Sequence, residues 1–325
     1  MNVARGPAWR ALAAILGGIL ATPAAWAQSR SAPPARDAQV PVIRKQVELV
    51  LVEATVRDRG GKAMKVLNKD DFLLYDNGQP QEVAHFSQDQ LPLAVAMVVD
   101  LSGSIQPFLY PLRYACVSAL KALKVEDEVA LFTFSTNVDH RVELTRDKLE
   151  VSTQLEDVAA GGGTNINDAV YQAARYLREK APAARRVIVL VSDNVPTVAR
   201  LTSASEVTQA ALEADAAVYG LQVPGRNPVA SRVIKVGQKF VNVKNLTADT
   251  GGEIFDVEQE GSLFLAFKAL IERLKTRYTL GFYPPKGSDG RAFHTLEVKL
   301  HPSFGMKGRD YTVVSKKGYY PARSR

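Results

Sequence analysis

The amino-acid sequence predicts a doubly wound, mostly parallel α/β sheet inserted into a small β-sandwich that the two ends of the chain build together. Three observations carry this expectation. Between Leu91 and about Thr276, short apolar runs alternate with helical stretches, the pattern of a parallel sheet covered on both faces. Period-two alternation marks the segments before and after that span. Neither end supplies more than two or three strands, too few to hold a core in water, so the ends are expected to share one. The domains read 46–90 and 277–325 for the two halves of the sandwich, with the tail in the second, and 91–276 for the α/β domain.

The elements follow in order. Val50, Val52, Ala54 and Val56 alternate with Leu51, Glu53, Thr55 and Arg57, and Asp58-Arg59-Gly60-Gly61 supplies a turn. Asp70 to Tyr75 leads through Asp76-Asn77-Gly78-Gln79-Pro80 to Val83-Ala84-His85-Phe86, read as a second hairpin. In the central span, strands are expected at 93–99, 128–134, 186–191, 216–223 and 252–256, with a short hairpin-like strand near 138–144. Helices are expected at 109–124, 147–157, 166–179, 204–214, 238–249 and 262–276. Pro107 and Pro111 stand where the first helix should begin and are expected to delay or kink it. Arg277 to Tyr283, Phe293 to Leu300 and Asp310 to Val314 return to strand patterning, the first two separated by Pro284-Pro285-Lys286-Gly287-Ser288-Asp289-Gly290.

The amino terminus does not belong to this fold. Arg5 and Arg10 precede the apolar run Ala11 to Ala25, and Ala25-Trp26-Ala27 offers a small-x-small cleavage site. This is the pattern of a secretory signal peptide, 1–27, cleaved after Ala27. The run is too short, and too interrupted by Gly17, Gly18 and Pro23, for the roughly 20 apolar residues of a spanning helix. Residues 28–45 mix Ser, Pro, Ala, Arg and Gln without periodicity and read as a flexible leader. The protein is therefore expected in the periplasm or outside the cell, with no transmembrane segment in the mature chain. The formal charge is +7, and the two signal-peptide arginines, Arg5 and Arg10, account for part of it. The remaining excess is scattered, with no Lys/Arg stripe interleaved with aromatics, which argues against nucleic acid. Cys116 is the single cysteine, so no intramolecular disulfide forms; its apolar neighbours make it a buried, inert thiol.

The chemistry concentrates at one run. Asp100-Leu101-Ser102-Gly103-Ser104 follows directly on the apolar stretch Leu93 to Val99. A buried strand ending in an acid and two hydroxyls spaced two apart aims several oxygens at one point, the donor chemistry of hard cations. Two later pieces join it: Gly161-Gly162-Gly163-Thr164-Asn165-Ile166-Asn167-Asp168 opening a helix, and Val187 to Asn194 closing a strand with Ser192-Asp193. In open α/β sheets ligands sit outside the carboxyl ends of strands, where neighbouring connections diverge, and all three pieces belong there. Each has a bland use as well. Ser102 and Ser104 suit a helix cap, Asp193-Asn194 suits a turn, and Asp168, in a first helical turn, suits the helix dipole and supports its loop.

Taken together, the three pieces resemble the von Willebrand factor A family, whose pattern is Asp-x-Ser-x-Ser with a distant Thr and Asp. That resemblance implies a Rossmann-like domain with a metal-ion-dependent adhesion site made by Asp100, Ser102, Ser104, Thr164 and Asp193. It implies Mg²⁺, with Mn²⁺ or Ca²⁺ as substitutes, held directly by Ser102 and Ser104, by Thr164 in the ligand-bound form, and mostly through water by Asp100 and Asp193. A protein partner would complete the octahedron with an Asp or Glu carboxylate. The family also implies a last helix, near Gly261 to Thr276, that can move on ligand binding. Asn194 stands where the family often has glycine, and tolerates left-handed geometry. The order of β motif, α/β domain and Tyr-rich closing strands ending in Lys316-Lys317-Gly318-Tyr319-Tyr320 is similar to a secreted group of A-domain proteins common in acidobacteria.

Rival readings are weaker. Ser118-Ala119-Leu120-Lys121, Ser192-Asp193-Asn194 and Lys316-Lys317-Gly318 superficially match penicillin-binding motifs, but Ser118 falls deep in a helix, away from the helix start such a nucleophile needs. Metal-assisted hydrolysis lacks a base, because His85, His140, His294 and His301 lie outside the three loops and show no zinc spacing. The expectation is a non-enzymatic binding protein, with a structural A-domain scaffold that captures no ligand as the alternative. The loop from Pro224 to Lys235 is a candidate for reading a partner's surface, or a plain connection.

Overall fold

The computed structural model describes residues 49–88, 91–224, 239–257, 262–285, 292–302 and 310–321. The expected signal peptide, the leader and the loop 225–235 lie outside the described residues.

The strand β5 (Leu93–Asp100) organises the α/β part. All of its residues are buried, and successive side chains feed opposite layers. Leu93, Val95, Met97 and Val99 pack with one set of helices, and Ala94, Ala96 and Val98 with another, as a strand covered on both faces must. Around it lie β6 (Glu128–Phe134), β7 (Val138–Thr145), β8 (Arg185–Ser192), β9 (Ala216–Gln222) and β10 (Ile254–Asp256) in the order β10-β9-β8-β5-β6-β7. Every pairing is parallel except β6 with β7. Helices α1 (Leu109–Ala122), α2 (Lys148–Gln154) and α6 (Ser262–Leu274) supply one layer, and α3 (Ile166–Lys180), α4 (Ala204–Glu213) and α5 (Val243–Thr250) the other.

Local chemistry explains where these elements begin. A 3-10 turn over Gly103–Phe108 absorbs Pro107, and Pro111 then falls in the first turn of α1, where its missing N–H has no intrahelical partner to lose. The delay expected from the two prolines is thus present without a break in the helix. α5 is shorter at its start than expected, because Asn242 caps it through a bond from Asn245 N–H at 3.0 Å. β10 is shorter as well, because Gly251 is left-handed (φ 78) and Gly252 lies against the Val218 carbonyl.

The ends form two antiparallel sheets with one shared core. β1 (Val50–Asp58), β4 (His85–Gln88), β11 (Tyr278–Phe282) and β13 (Tyr311–Ser315) are ordered β13-β1-β11-β4, and β2 (Phe72–Asp76), β3 (Gln79–Gln81), β12 (His294–Leu300) and β14 (Gly318–Tyr319) are ordered β14-β12-β2-β3. Val52, Ala54, Val56, Phe72, Leu74, Tyr278, Leu280, Phe282, Leu296, Val298 and Leu300 pack between them. The β2–β3 hairpin turns at Asn77 and Gly78, both with positive φ. Its continuation differs from the expected hairpin, since β4 crosses to the other sheet. The turn after β1 leads only to a single bridge, Arg57 with Ala63, and β1 takes its partners from the far end of the chain.

The sandwich meets the α/β part at the amino edge of the parallel sheet. Glu53 on β1 accepts bonds from Arg185 Nε and Arg277 Nη1, each at 2.5 Å. Arg185 opens β8, and Arg277 follows α6. Arg277 also donates to the Gly251 carbonyl, and Lys316 pairs with Asp215 at 2.6 Å. Burial works to raise the Glu53 carboxyl, but the charges of Arg277 and Arg185 overcome it and hold the group down at about 2. No helix among the described residues is long and apolar enough to cross a membrane.

Candidate functional site

The topology creates one crevice. From β5 the chain passes through α1 to β6 on one side, and from β8 it passes through α4 to β9 on the other. β5 and β8 are neighbours, so their outgoing connections part and leave a cleft at the carboxyl edge. Asp100 ends β5 and Asp193 follows β8. This edge lies a strand length, roughly 25 Å, from the seam with the sandwich.

Asp100 is fully buried. One carboxylate oxygen accepts the Ser102 N–H at 2.7 Å and the other accepts the Ser192 hydroxyl at 2.6 Å. Ser102 occupies the N-cap of the 3-10 turn but makes no side-chain cap bond. Its Oγ instead lies 3.0 Å from Ser104 Oγ, so the hydroxyls face one another rather than serving as caps.

The Thr164 loop is stitched to both flanks. Gly161 N–H donates to the Leu101 carbonyl at 2.7 Å, and Leu101 N–H donates to Phe134 at 2.7 Å. Thr164 N–H donates to Thr197 Oγ1 at 2.8 Å, while the Thr164 carbonyl accepts from the N–H groups of Thr197 and Val198 at 3.0 and 3.1 Å. The close approach requires glycine at 163, where a Cβ would stand 2.7 Å from Val198 Cγ2. Thr164 is buried. At the third loop, Asp193 Oδ1 accepts the Val195 N–H at 3.0 Å, a local turn of the bland kind, and Asn194 has φ 58, the left-handed geometry its side chain tolerates.

All five predicted residues therefore lie at or just beyond the strand ends of one edge, on segments bonded to one another directly or through neighbours. Asp168 takes the supporting part. Its carboxylate accepts from Asn165 Nδ2 at 2.8 Å and from the Leu201 N–H at 3.3 Å. Ser192, Asn165 and Thr197 gain their parts in the site only from the fold. Ser192 immediately precedes Asp193, and Asn165 precedes the helix it caps; both were visible as types, but their partners are remote. The histidines stay apart. His294 bonds Asp76 at 2.9 Å inside the sandwich, and His140 stacks on Phe132 with ring centroids 4.2 Å apart. Nor do the penicillin-binding motifs assemble: Ser118 is mid-α1 and Lys317 pairs with Asp249 at 2.9 Å.

The electrostatics mark an excess of acceptors. Burial lifts the Asp100 carboxyl to about 6, with Asp193's like charge adding, against the lowering effect of the bonds from Ser192 and Ser102. Among the described residues no Lys, Arg or His forms an ion pair with Asp100 or Asp193. Asn194 Oδ1 is buried and accepts no bond from the described residues. Among the described residues no three His, Cys, Asp or Glu side chains converge as a metal cluster. A cation here therefore depends on the hydroxyls of Ser102, Ser104 and Thr164 as well as the two acids, an all-oxygen set that fits a hard divalent ion.

A doubly wound domain with Asp-x-Ser-x-Ser at the switch point, and Thr and Asp on the adjoining loops, defines the A-type class of α/β domain. Residues 95–195 match the family profile of the von Willebrand factor type A domain, and the chain is a protein with a domain of that family. It is similar to inter-alpha-trypsin inhibitor heavy chain H2 of Sus scrofa, 32% identical over 127 residues that make 35% of this chain and 14% of that one. It also resembles inter-alpha-trypsin inhibitor heavy chain 4 of Mus musculus, 30% identical over 159 residues, 41% of this chain and 17% of that one. The chain thus spans only a small part of these relatives. Among solved structures, a von Willebrand factor type A protein from Catenulispora acidiphila aligns with TM-score 0.47 and 10% identity, covering 76% of this chain and 74% of that one. The vWF domain of the type V pili tip protein Mfa5 from Porphyromonas gingivalis aligns with TM-score 0.45 and 10% identity, over 57% and 95%.

Proposed function

We propose that the protein is a secreted, non-enzymatic binding module that captures an acidic side chain of a protein partner through Mg²⁺. The observation that carries this reading is that the segments bearing Asp100, Ser102, Ser104, Thr164 and Asp193 meet at one switch-point crevice, with no basic side chain among the described residues paired to the two acids. Ser102 and Ser104 would hold the ion through their hydroxyls, joined by Thr164, while Asp100 and Asp193 supply negative charge from behind. When bound, Mg²⁺ supplies an electrophilic centre for an Asp or Glu oxygen of the partner. Ser192 keeps Asp100 oriented, and the backbone bond from Gly161 to Leu101 ties the Thr164 loop to the end of β5. Secretion is supported by the charged, apolar and small-residue pattern of residues 1–27. The sandwich, attached at the amino edge, would present the carboxyl edge to a partner.

Calorimetric titration of the chelator-treated protein with Mg²⁺ and Mn²⁺, beside a Ser102→Ala/Ser104→Ala variant, tests the site. Saturable uptake by the wild type, lost in a variant that still melts cooperatively, is the expected result. A folded wild type that takes up neither ion refutes the proposal.

A further inference from the structure

Four large apolar side chains stand in solvent on one flank of the candidate metal edge. Tyr110 is 80% exposed and Tyr114 69% on α1, and Phe264 is 40% and Leu265 62% exposed in the first turn of α6. The rings of Tyr114 and Phe264 lie tilted with centroids 6.5 Å apart, so the two helices contribute to one patch. Both helices start at the carboxyl edge. α1 continues from the 3-10 turn that opens at Gly103, and α6 follows β10, which runs parallel to β9. Tyr110 lies about two helical turns beyond Ser104.

The opposite bank carries one large exposed apolar side chain. Leu201 is 84% exposed, on the loop that follows Asp193, and Asp168 of α3 holds its N–H. Since α1 and α6 cover one face of the sheet and α3 the other, Leu201 belongs to the loop on the far side from the four.

The fold does not need these side chains where they are. α1 and α6 already bury Leu112, Ala115, Cys116, Leu263, Phe267 and Leu270 against the sheet. Contiguous exposed apolar surface marks an interaction site, and aromatics are the residues that anchor interfaces. Resting on the metal-dependent capture proposed above, we infer that the partner is a protein segment whose single acidic residue is flanked by aliphatic or aromatic side chains. The acid would reach the metal edge while its neighbours seat on Tyr110, Tyr114, Phe264 and Leu265, with Leu201 on the far bank. A Gly/Ser-rich acidic segment offers the carboxylate without these contacts.

Two fluorescent peptides with one central Asp, flanked by Leu and Phe in one and by Gly and Ser in the other, test this by anisotropy in Mg²⁺ and in EDTA. In Mg²⁺ the Leu/Phe peptide is expected to bind at least tenfold tighter. That preference should fall toward onefold in Tyr110→Ser/Tyr114→Ser, whose exposed side chains can be removed without loss of the fold or of Mg²⁺ uptake. Equal affinities, failure of the Mg²⁺-loaded protein to bind either peptide, or a preference that survives in EDTA or in the variant would each overturn the inference. Failure of calorimetric Mg²⁺ uptake by the folded wild type would overturn the metal site itself, a separate result.

Discussion

Replacing Glu53 by Gln should reveal how firmly the sandwich is fastened to the α/β part. The carboxylate lies between Arg185 and Arg277, both buried, at 2.5 Å from each. Glutamine keeps the shape and removes the charge, leaving two guanidinium groups in a seam with no countercharge from that position. Removing one partner of a buried pair costs about 3–5 kcal/mol. An independent route gives a similar size. Burial acts to raise the Glu53 carboxyl, yet the arginines bring it from 4.5 to about 2, and that depression corresponds to about 3 kcal/mol of stability. The sign follows from the direction. A carboxyl depressed by folding contributes its stability above its unfolded pKa and loses it as pH falls from about 4.5 toward 2. Urea unfolding of the wild type and Glu53→Gln across pH 2.5 to 7 should therefore show a gap of about 3 kcal/mol at neutral pH that narrows steadily below pH 4.5. A gap below 1 kcal/mol at pH 7, or one unchanged by acid, would refute the clamp.

Two further substitutions probe the site's support and the packing beneath it. Ser192→Ala removes the 2.6 Å bond to Asp100 and the acceptor for the Asn194 N–H; it should cost about 1–2 kcal/mol in urea unfolding and weaken Mg²⁺ uptake about tenfold by calorimetry, and unchanged uptake would remove Ser192 from the site. Gly252→Ala would place a Cβ 1.8 Å from the Val218 carbonyl oxygen, so β9 must shift, at a cost of about 3 kcal/mol. Gly161→Ala, with open space at its Cβ position, serves as the control and should melt like the wild type.

Much of this architecture was legible because local patterns encode it. The run Leu93 to Val99 reads as a strand buried on both faces, and it is one. The serines and Asp100 were legible as oxygen donors at a strand end. Pairing was harder. The alternation of β1 revealed a half-buried strand, but its neighbours β11 and β13 come from residues more than 200 positions away, and nothing in a period-two pattern names a partner. The β2–β3 turn was visible in Asn77-Gly78, whereas the crossing of β4 to the other sheet was not. Ser192 belongs to the same class of omission, since a serine at a strand end acquires its role only from the Asp100 oxygen that the neighbouring strand brings to 2.6 Å.

The order of strands and helices, the glycine positions that permit close approach and the donor types at each strand end are all written locally, because periodicity and side-chain chemistry are local properties. Only packing brings particular oxygens together, buries Asp100 with no basic partner among the described residues, sets Glu53 between two arginines and stands Tyr114 beside Phe264. Each of these depends on the distance between residues far apart in the chain, and that distance is set by how sheets and helices pack.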